Sequence, residues 1–238
     1  MTMSKKYKKN RTARKRKGAA MKRRWGRGAA YVLTFALAFL TTYLLSSCAD
    51  HDDMFDSGIR VGNILLSDNT MVAPGSYDAG SMHAEGVVFY AKGDTAIAVA
   101  PVELGDHCFS DSLVSVSGIS KDAFTINGLT STAALMVSDI DTPAARACVE
   151  YRSPLAGWYL PSAGELRVLA RNLAAVSASM AVIGGEPFHD VQYMSSSEDN
   201  SSPSNAELYC YCVSLLRGYA VSVPKKEAHR VRPVILVH

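Results

Sequence analysis

This chain of 238 residues lacks the sequence motifs of several kinds of enzyme and metal-binding site. No cysteine spacing matches a zinc finger or zinc ribbon, which requires Cys-x2-Cys or cysteines with paired histidines. The hydrolase turn Gly-x-Ser-x-Gly and the phosphate-binding glycine loop are also missing. His107 directly follows Asp106 and precedes Cys108, and neighbours in sequence rarely face each other as nucleophile and base. These absences predict a protein that is not an enzyme and that holds no metal or other cofactor.

Acidic residues are missing from residues 1–27, which hold 13 Lys or Arg, and residues 28–45 carry no charge at all. A basic segment, an apolar segment and then small residues are typical of a secretory signal. The run Leu45-Ser46-Ser47-Cys48 resembles the lipobox of bacterial lipoproteins, in which the cysteine becomes the acylated first residue of the mature protein. An uncleaved membrane anchor is the alternative, because 18 uncharged residues can just span a bilayer.

The basic segment is unusually long, and Met21 would by itself give a normal start, so translation from Met21 is a further hypothesis. Residues 49–58 are polar and acidic, and they predict a flexible tether between the lipid and a domain. Acidic residues directly after the lipidated cysteine resemble a surface-export signal. We therefore expect an outer-membrane location, with display on the cell surface favoured over the periplasm.

Removal of residues 1–48 reverses the charge of the protein. The whole chain carries +3, but 12 basic and 22 acidic residues follow Cys48, which gives −10. Nucleic acid is therefore not an expected partner, because phosphate binding requires a basic surface. The 190 remaining residues are enough for one domain with a sizeable core.

Four cysteines remain after the lipidation site, and we predict that they are buried free thiols. One disulfide is the alternative outside the cytoplasm, and four cysteines allow three connectivities. Alternation with tyrosine predicts that the last two cysteines share one face of a strand. The four are Cys108, Cys148, Cys210 and Cys212.

The clearest local signal is the start of a helix. Ser162 and Glu165 have the spacing of a capping box, and Pro161 stands directly before them. An apolar face then recurs at steps of three and four residues up to the stop at Gly184-Gly185. Its members are Leu166, Leu169, Leu173, Val176 and Met180.

Short runs rich in β-branched and aromatic residues predict strands on both sides of this helix. A hairpin is expected from residues 85–90 and 95–102, and a second from residues 207–216 and 219–223. Further strands are expected at residues 60–66 and 230–237, and two short helices at residues 132–137 and 143–152.

An ordered set of motifs then identifies a family. It runs from Asn127-Gly128 through Gly157-Trp158-Tyr159-Leu160-Pro161 and Ser195-Ser196-Ser197-Glu198 to Arg230-Val231-Arg232-Pro233. This set resembles the Lcl C-terminal type of domain, a C-type-lectin-like module of secreted and lipid-anchored bacterial proteins. The resemblance covers residues 59–238. It implies an α+β fold with small antiparallel sheets, two flanking helices and long loops.

The resemblance also implies a binding surface. In relatives diversified by retroelements, the ligand-binding residues lie between the Ser-Ser-Thr-Glu-like motif and the final Arg-Pro strand, which corresponds to residues 199–229. The calcium-ligand motifs of sugar-binding lectins are missing, so calcium-dependent sugar binding is not implied. The exposed candidates are Asp199, Asn200, Ser202, Asn205, Glu207, Tyr209, Tyr211, Arg217, Tyr219 and His229.

Tyrosine suits such a surface, because it offers a large contact area at low entropic cost. Alternating tyrosines in a strand also pack well, so a purely structural role for Tyr209 and Tyr211 stays open. Taken together, the sequence predicts a lipid-anchored envelope protein whose lectin-like domain binds a protein or glycan and serves in adhesion. A structural or assembly component without a soluble ligand is the first alternative, and an enzyme of unknown type is the second.

Overall fold

A computed structural model of the protein describes residues 58–238. The expected signal, the lipidation site at Cys48, the start at Met21 and all of the tether except Gly58 lie outside these residues. Eleven strands and five helices occur within them, as does one 3-10 turn at Pro74–Ser76. None of the helices in residues 58–238 is long and apolar enough to cross a membrane.

The strands have the following bounds: β1 Ile64–Leu66, β2 Met71–Val72, β3 Ala84–Lys92, β4 Thr95–Val99, β5 Asp106–His107, β6 Trp158–Tyr159, β7 Gln192–Glu198, β8 Tyr209–Ser214, β9 Tyr219–Pro224, β10 His229–Arg230 and β11 Val234–Val237. The helices are α1 Gly128–Met136, α2 Pro143–Val149, α3 Ala163–Arg171, α4 Leu173–Val182 and α5 Asn205–Leu208. The fold is therefore α+β, as predicted, with five helices in this region where the resemblance implied two.

The strands form two sheets. The first has six antiparallel strands in the order β2-β1-β3-β4-β11-β6. The second has five strands in the order β5-β10-β7-β8-β9 and is antiparallel except where β10 pairs with β7. The predicted β3–β4 and β8–β9 hairpins are both confirmed.

Alternation along the strands divides the core into three clusters. The central cluster contains Phe89 from the first sheet, Leu169 from α3 and Val213 from the second sheet. The opposite face of the second sheet contributes Cys210 and Cys212 to another cluster, which confirms that these two cysteines share a face. Both faces of the central strands are buried, each in a different cluster, so a one-residue slip would move every side chain of a strand into the wrong cluster.

The capping box at the start of α3 is present. The Ser162 hydroxyl accepts from the Glu165 N–H at 3.2 Å, and the Glu165 carboxylate accepts from the Ser162 N–H at 2.9 Å. The same carboxylate accepts from the Gly128 N–H at 3.1 Å. A Cβ on Gly128 would overlap the Glu165 carboxylate, and one on Gly164 would overlap the backbone of Phe124. Glycine is thus required where α1 and the 124–127 segment meet the start of α3.

Several element boundaries differ from the prediction, among them that of α1, which begins at Gly128 and not at residue 132. The long helix is two helices, because Asn172 stands between them and donates its side-chain N–H to the Phe89 carbonyl at 2.9 Å. The strand predicted from residue 207 starts at Tyr209, after the turn of α5. The closing strand is broken into β10 and β11 before Val234, where Pro233 has no N–H to donate to a ladder.

Candidate functional site

The ten predicted ligand-binding residues lie in three places. The loop after β7, helix α5 and the first half of β8 bring seven of them together. Arg217 and Tyr219 lie at the opposite end of the β8–β9 hairpin, where Arg217 faces Asp190 at 3.5 Å. His229 lies on β10, opposite His107 of β5, with Glu227 at 3.5 Å. The group of seven consists of Asp199, Asn200, Ser202, Asn205, Glu207, Tyr209 and Tyr211.

Asp199 was predicted to be exposed, and that prediction is wrong. Its residue surface is 1% exposed, because the carboxylate points into the loop and gathers hydrogen bonds from it. The Tyr211 hydroxyl donates to it at 2.8 Å, the Ser222 hydroxyl at 2.6 Å and the Asn205 side chain at 3.1 Å. Ser201 donates to it through both its N–H and its hydroxyl. Asp199 therefore organises the loop.

The hydrogen bonds decide the charge of this carboxyl. Burial alone acts to raise the pKa of Asp199, but the donors Ser222, Ser201 and Tyr211 outweigh it and lower the pKa to about 2. Burial and the same carboxylate raise the pKa of Tyr211 to about 12. Asp199 is thus an anion at neutral pH, and the Tyr211 hydroxyl is held as a donor.

The loop presents other side chains outward. Asn200 and Glu207 are exposed, and Ser202 and Asn205 are half-buried. The Ser202 hydroxyl donates to the Asn205 side-chain oxygen at 2.9 Å, so these two side chains hold each other in place. We call the outward surface of residues 200–207 the polar loop surface.

An apolar pocket with a volume of about 250 Å³ lies beside the polar loop surface. Of the predicted residues only Tyr209 lines it. The other lining residues come from the 111–116 segment, α5, β9 and the turn after β9, and sequence reasoning missed them. The signal available was apolar residues at positions 113 and 208 within otherwise polar stretches. The remaining lining residues are Leu113, Leu208, Pro224 and Lys226.

A buried ion pair fixes one wall of this pocket. The side chains of Glu198 and Lys225 are both 0% exposed and are hydrogen-bonded to each other. Lys225 also donates to the Val114 carbonyl at 2.7 Å, and Glu198 accepts from the Val116 N–H at 2.9 Å. The Glu of the Ser-Ser-Ser-Glu motif therefore ties the 113–116 segment to the end of β7.

The closing Arg-Pro motif also has a structural role. Arg232 is 1% exposed and donates to the carbonyls of Ala100, Pro101 and Glu186 at 2.8–3.0 Å. Its guanidinium lies 4.2 Å from the centre of the Phe188 ring. This arginine joins the residues just before β11 to the segments at residues 100–101 and 186, and none of its hydrogen-bond partners belongs to the polar loop surface.

The four cysteines are free thiols in the structure, with Cys108 half-buried and the others buried. Burial raises the pKa of Cys148, Cys210 and Cys212, which disfavours the reactive thiolate. Within residues 58–238, no group of three or more His, Cys, Asp or Glu side chains is arranged to hold a metal ion.

No protein-family model matches this chain, and no curated protein matches it either. Among solved structures, the chain is similar to a fimbrial protein from Bacteroides ovatus ATCC 8483. The TM-score is 0.59 at 15% sequence identity, and the match covers 76% of this chain and 49% of the fimbrial protein. The chain thus spans about half the length of that protein, and the two proteins are similar in fold.

Proposed function

We propose that this chain is a non-enzymatic binding protein of the cell envelope, anchored by lipid at Cys48, whose domain binds a protein or glycan through the polar loop surface. The observation that carries the proposal is the Asp199 network. Its hydrogen bonds order the loop, and the side chains of Asn200 and Glu207 remain exposed and can contact a ligand.

A loop held in this way is suited to recognition. Binding costs free energy when flexible side chains and loops become ordered, and a loop ordered beforehand avoids much of that cost. The neighbouring pocket adds an apolar contact beside the polar side chains. A concave apolar site with a few polar groups at its rim is the usual form of a small binding site.

The C-type-lectin-like assignment belongs to the same proposal. An α+β fold with two sheets is compatible with it, and the motifs from Asn127-Gly128 to Arg232-Pro233 support it. The proposal places the domain on the outer membrane, facing outward. Attachment can be tested by labelling cells with a palmitate analogue, which should mark the protein and should fail to mark the Cys48→Ser variant.

A structural or assembly component of the envelope is the second candidate. It is favoured by the fold likeness to a protein described as fimbrial. Stable partners that copurify with the chain in stoichiometric amounts, together with no glycan or cell binding, would support this candidate over the first.

The test of ligand binding uses the whole chain in detergent, applied to a glycan array and to cells. The double variant Asn200→Ala/Glu207→Ala should lose at least about tenfold in affinity, which corresponds to about 1.4 kcal/mol. The matched control is Lys92→Ala/Asp94→Ala, which truncates two exposed residues at the β3–β4 turn. Equal binding by both variants and the original chain would refute the polar loop surface as the site.

A further inference from the structure

The terminal strands of the two sheets differ in length. Within residues 58–238, the terminal strands β2, β5 and β6 contain two residues each. The fourth terminal strand is β9, which contains six residues, Tyr219–Pro224. Very short terminal strands prevent unwanted pairing, because they present few free backbone groups. Strand β9 lacks this protection.

Strand β9 also lacks the protection that charge provides. Terminal strands are commonly shielded by charged side chains, lysine above all. The sequence Tyr-Ala-Val-Ser-Val-Pro contains none, and Val223 is the only buried residue in it. Lys225, the next residue, cannot shield the edge because it is buried against Glu198.

The free backbone groups of β9 can be identified. The Lys225 N–H donates to the Leu208 carbonyl at 3.0 Å, so odd-numbered residues of β9 point their N–H groups toward β8. Ala220 and Ser222 therefore point theirs away from the sheet. Pro224 also occupies an outward position, where its missing N–H leaves the β8 ladder intact and ends the free edge.

The apolar pocket lies at the Pro224 end of this edge. Four of its lining residues have no charge, and Lys226 supplies the single cation. Lys226 is exposed and forms no ion pair with another residue in the part of the chain that the structure describes. An apolar side chain would fill the pocket, and a carboxylate beside that side chain would complement Lys226.

We propose that the outer edge of β9 accepts an extended peptide segment of another protein as a sixth strand of this sheet. The segment places an apolar side chain in the pocket and a neighbouring carboxylate beside Lys226. In this mode of recognition, backbone hydrogen bonds supply affinity and pockets for alternate side chains supply specificity. The inference rests on the proposed binding role and adds a site for a peptide at the β9 edge, beside the polar loop surface.

A second copy of this chain that pairs symmetrically about Val221 fits the edge less well. Two β9 strands paired antiparallel about Val221 would place Gly218 of one copy opposite Pro224 of the other. Glycine has no side chain, so the pocket would stay unfilled. A peptide that carries an apolar residue at this position satisfies both the edge and the pocket.

The test is selection from a library of random 12-residue peptides displayed on phage, with the whole chain as the target. Enriched peptides should contain an apolar residue next to Asp, Glu or a C-terminal carboxylate. Their affinity should fall at least tenfold with Ala220→Pro, which removes an outward N–H and keeps the bonds to β8. It should fall about tenfold with Lys226→Glu, whereas Lys92→Glu, a matched reversal at an exposed lysine, should leave it unchanged.

Circular dichroism and the thermal transition of Ala220→Pro verify that it folds, and Lys226→Glu tests the same site without altering the backbone. No enrichment, or equal binding of enriched peptides to Ala220→Pro and the original chain, overturns the inference. The inference is also overturned if the protein forms a concentration-dependent dimer that Ala220→Pro abolishes and that no enriched peptide disrupts. If the protein binds cells or glycans but no peptide, only this inference is refuted. If it binds none of them, the proposed function is refuted as well.

Discussion

Two carboxyl groups with little exposed surface have pKa values that are shifted in opposite directions. Glu165, at the start of α3, is 2% exposed, and Asp199, after β7, is 1% exposed. Burial raises the pKa of Glu165 to about 7, although hydrogen bonds from Ser162 and Gly128 act against it. Hydrogen bonds overcome burial at Asp199 and lower its pKa to about 2.

The difference lies in the donors and in the depth of burial, which is much greater at Glu165. Glu165 receives two backbone N–H groups and a distant Tyr159 hydroxyl at 3.4 Å. Asp199 receives five donors, among them the hydroxyls of Tyr211 and Ser222. Exposure therefore does not decide whether a carboxyl is charged, because the number and length of its hydrogen bonds can outweigh the loss of water. The carboxyl group at the helix start therefore titrates near neutral pH, whereas the loop after β7 is built around an anion.

The largest expected effect concerns Glu198, the last residue of β7 and the neighbour of Asp199 in the chain. Glu198→Ala should destabilise the protein by about 3–5 kcal/mol, because it leaves the buried Lys225 ammonium without its counterion. Chemical denaturation at pH 7 measures the change. Glu207→Ala, the same substitution at an exposed site, should change stability by less than about 0.5 kcal/mol. Similar midpoints for the two variants would contradict the proposed importance of the pair.

The next prediction tests the raised pKa of Glu165 through the pH dependence of protein stability. The folded pKa of Glu165 lies above its ordinary value of 4.5, so the folded state holds this proton more tightly than the unfolded state. Stability from this group is therefore full below pH 4.5 and declines as pH rises through about 7. The loss amounts to about 3 kcal/mol. Glu165→Gln should flatten this part of the stability profile, and an unchanged slope would count against the raised pKa.

Asp199 should show the reverse dependence. Its folded pKa lies below its ordinary value of 3.8, so its contribution is present above pH 3.8 and is lost as pH falls through about 2. Asp199→Asn should cost about 2 kcal/mol at pH 7, because buried donors lose an ionised acceptor. It should also speed amide hydrogen exchange in residues 200–208. Unchanged exchange there would mean that the network does not hold the loop.

The smallest effect separates two neighbouring tyrosines. Tyr211→Phe removes one hydrogen bond to Asp199 and should cost about 1 kcal/mol. The Tyr209 hydroxyl forms no hydrogen bond within residues 58–238, so Tyr209→Phe should change stability by less than about 0.5 kcal/mol. Thermal melts of the two variants provide the comparison. Equal losses would show that Tyr211 acts through packing alone.

The features that the sequence predicted correctly depend on neighbours close in the chain. Ser162 and Glu165 are three residues apart, and their capping box is present. Alternation of Tyr209 and Tyr211 with cysteines correctly assigned the faces of β8. Hairpins with short turns followed the same local rules.

The features that sequence reasoning missed depend on residues far apart in the chain. Asp199 reads as an exposed loop residue until Tyr211 and Ser222 are brought to it from two strands. Leu113 joins the pocket from a segment that Lys225 holds in place through Val114. Such contacts arise from the packing of the sheet, and no local pattern of residues records them.

The inward direction of Asp199 has a consequence for variation. Because five donors within the loop and its strands hold the backbone, the outward residues contribute little to keeping its shape. Positions 200, 203, 204 and 207 can therefore exchange side chains freely while the scaffold persists. A library of substitutions at these four positions should yield mostly folded proteins with altered surfaces, which makes this loop a suitable place to graft new specificities.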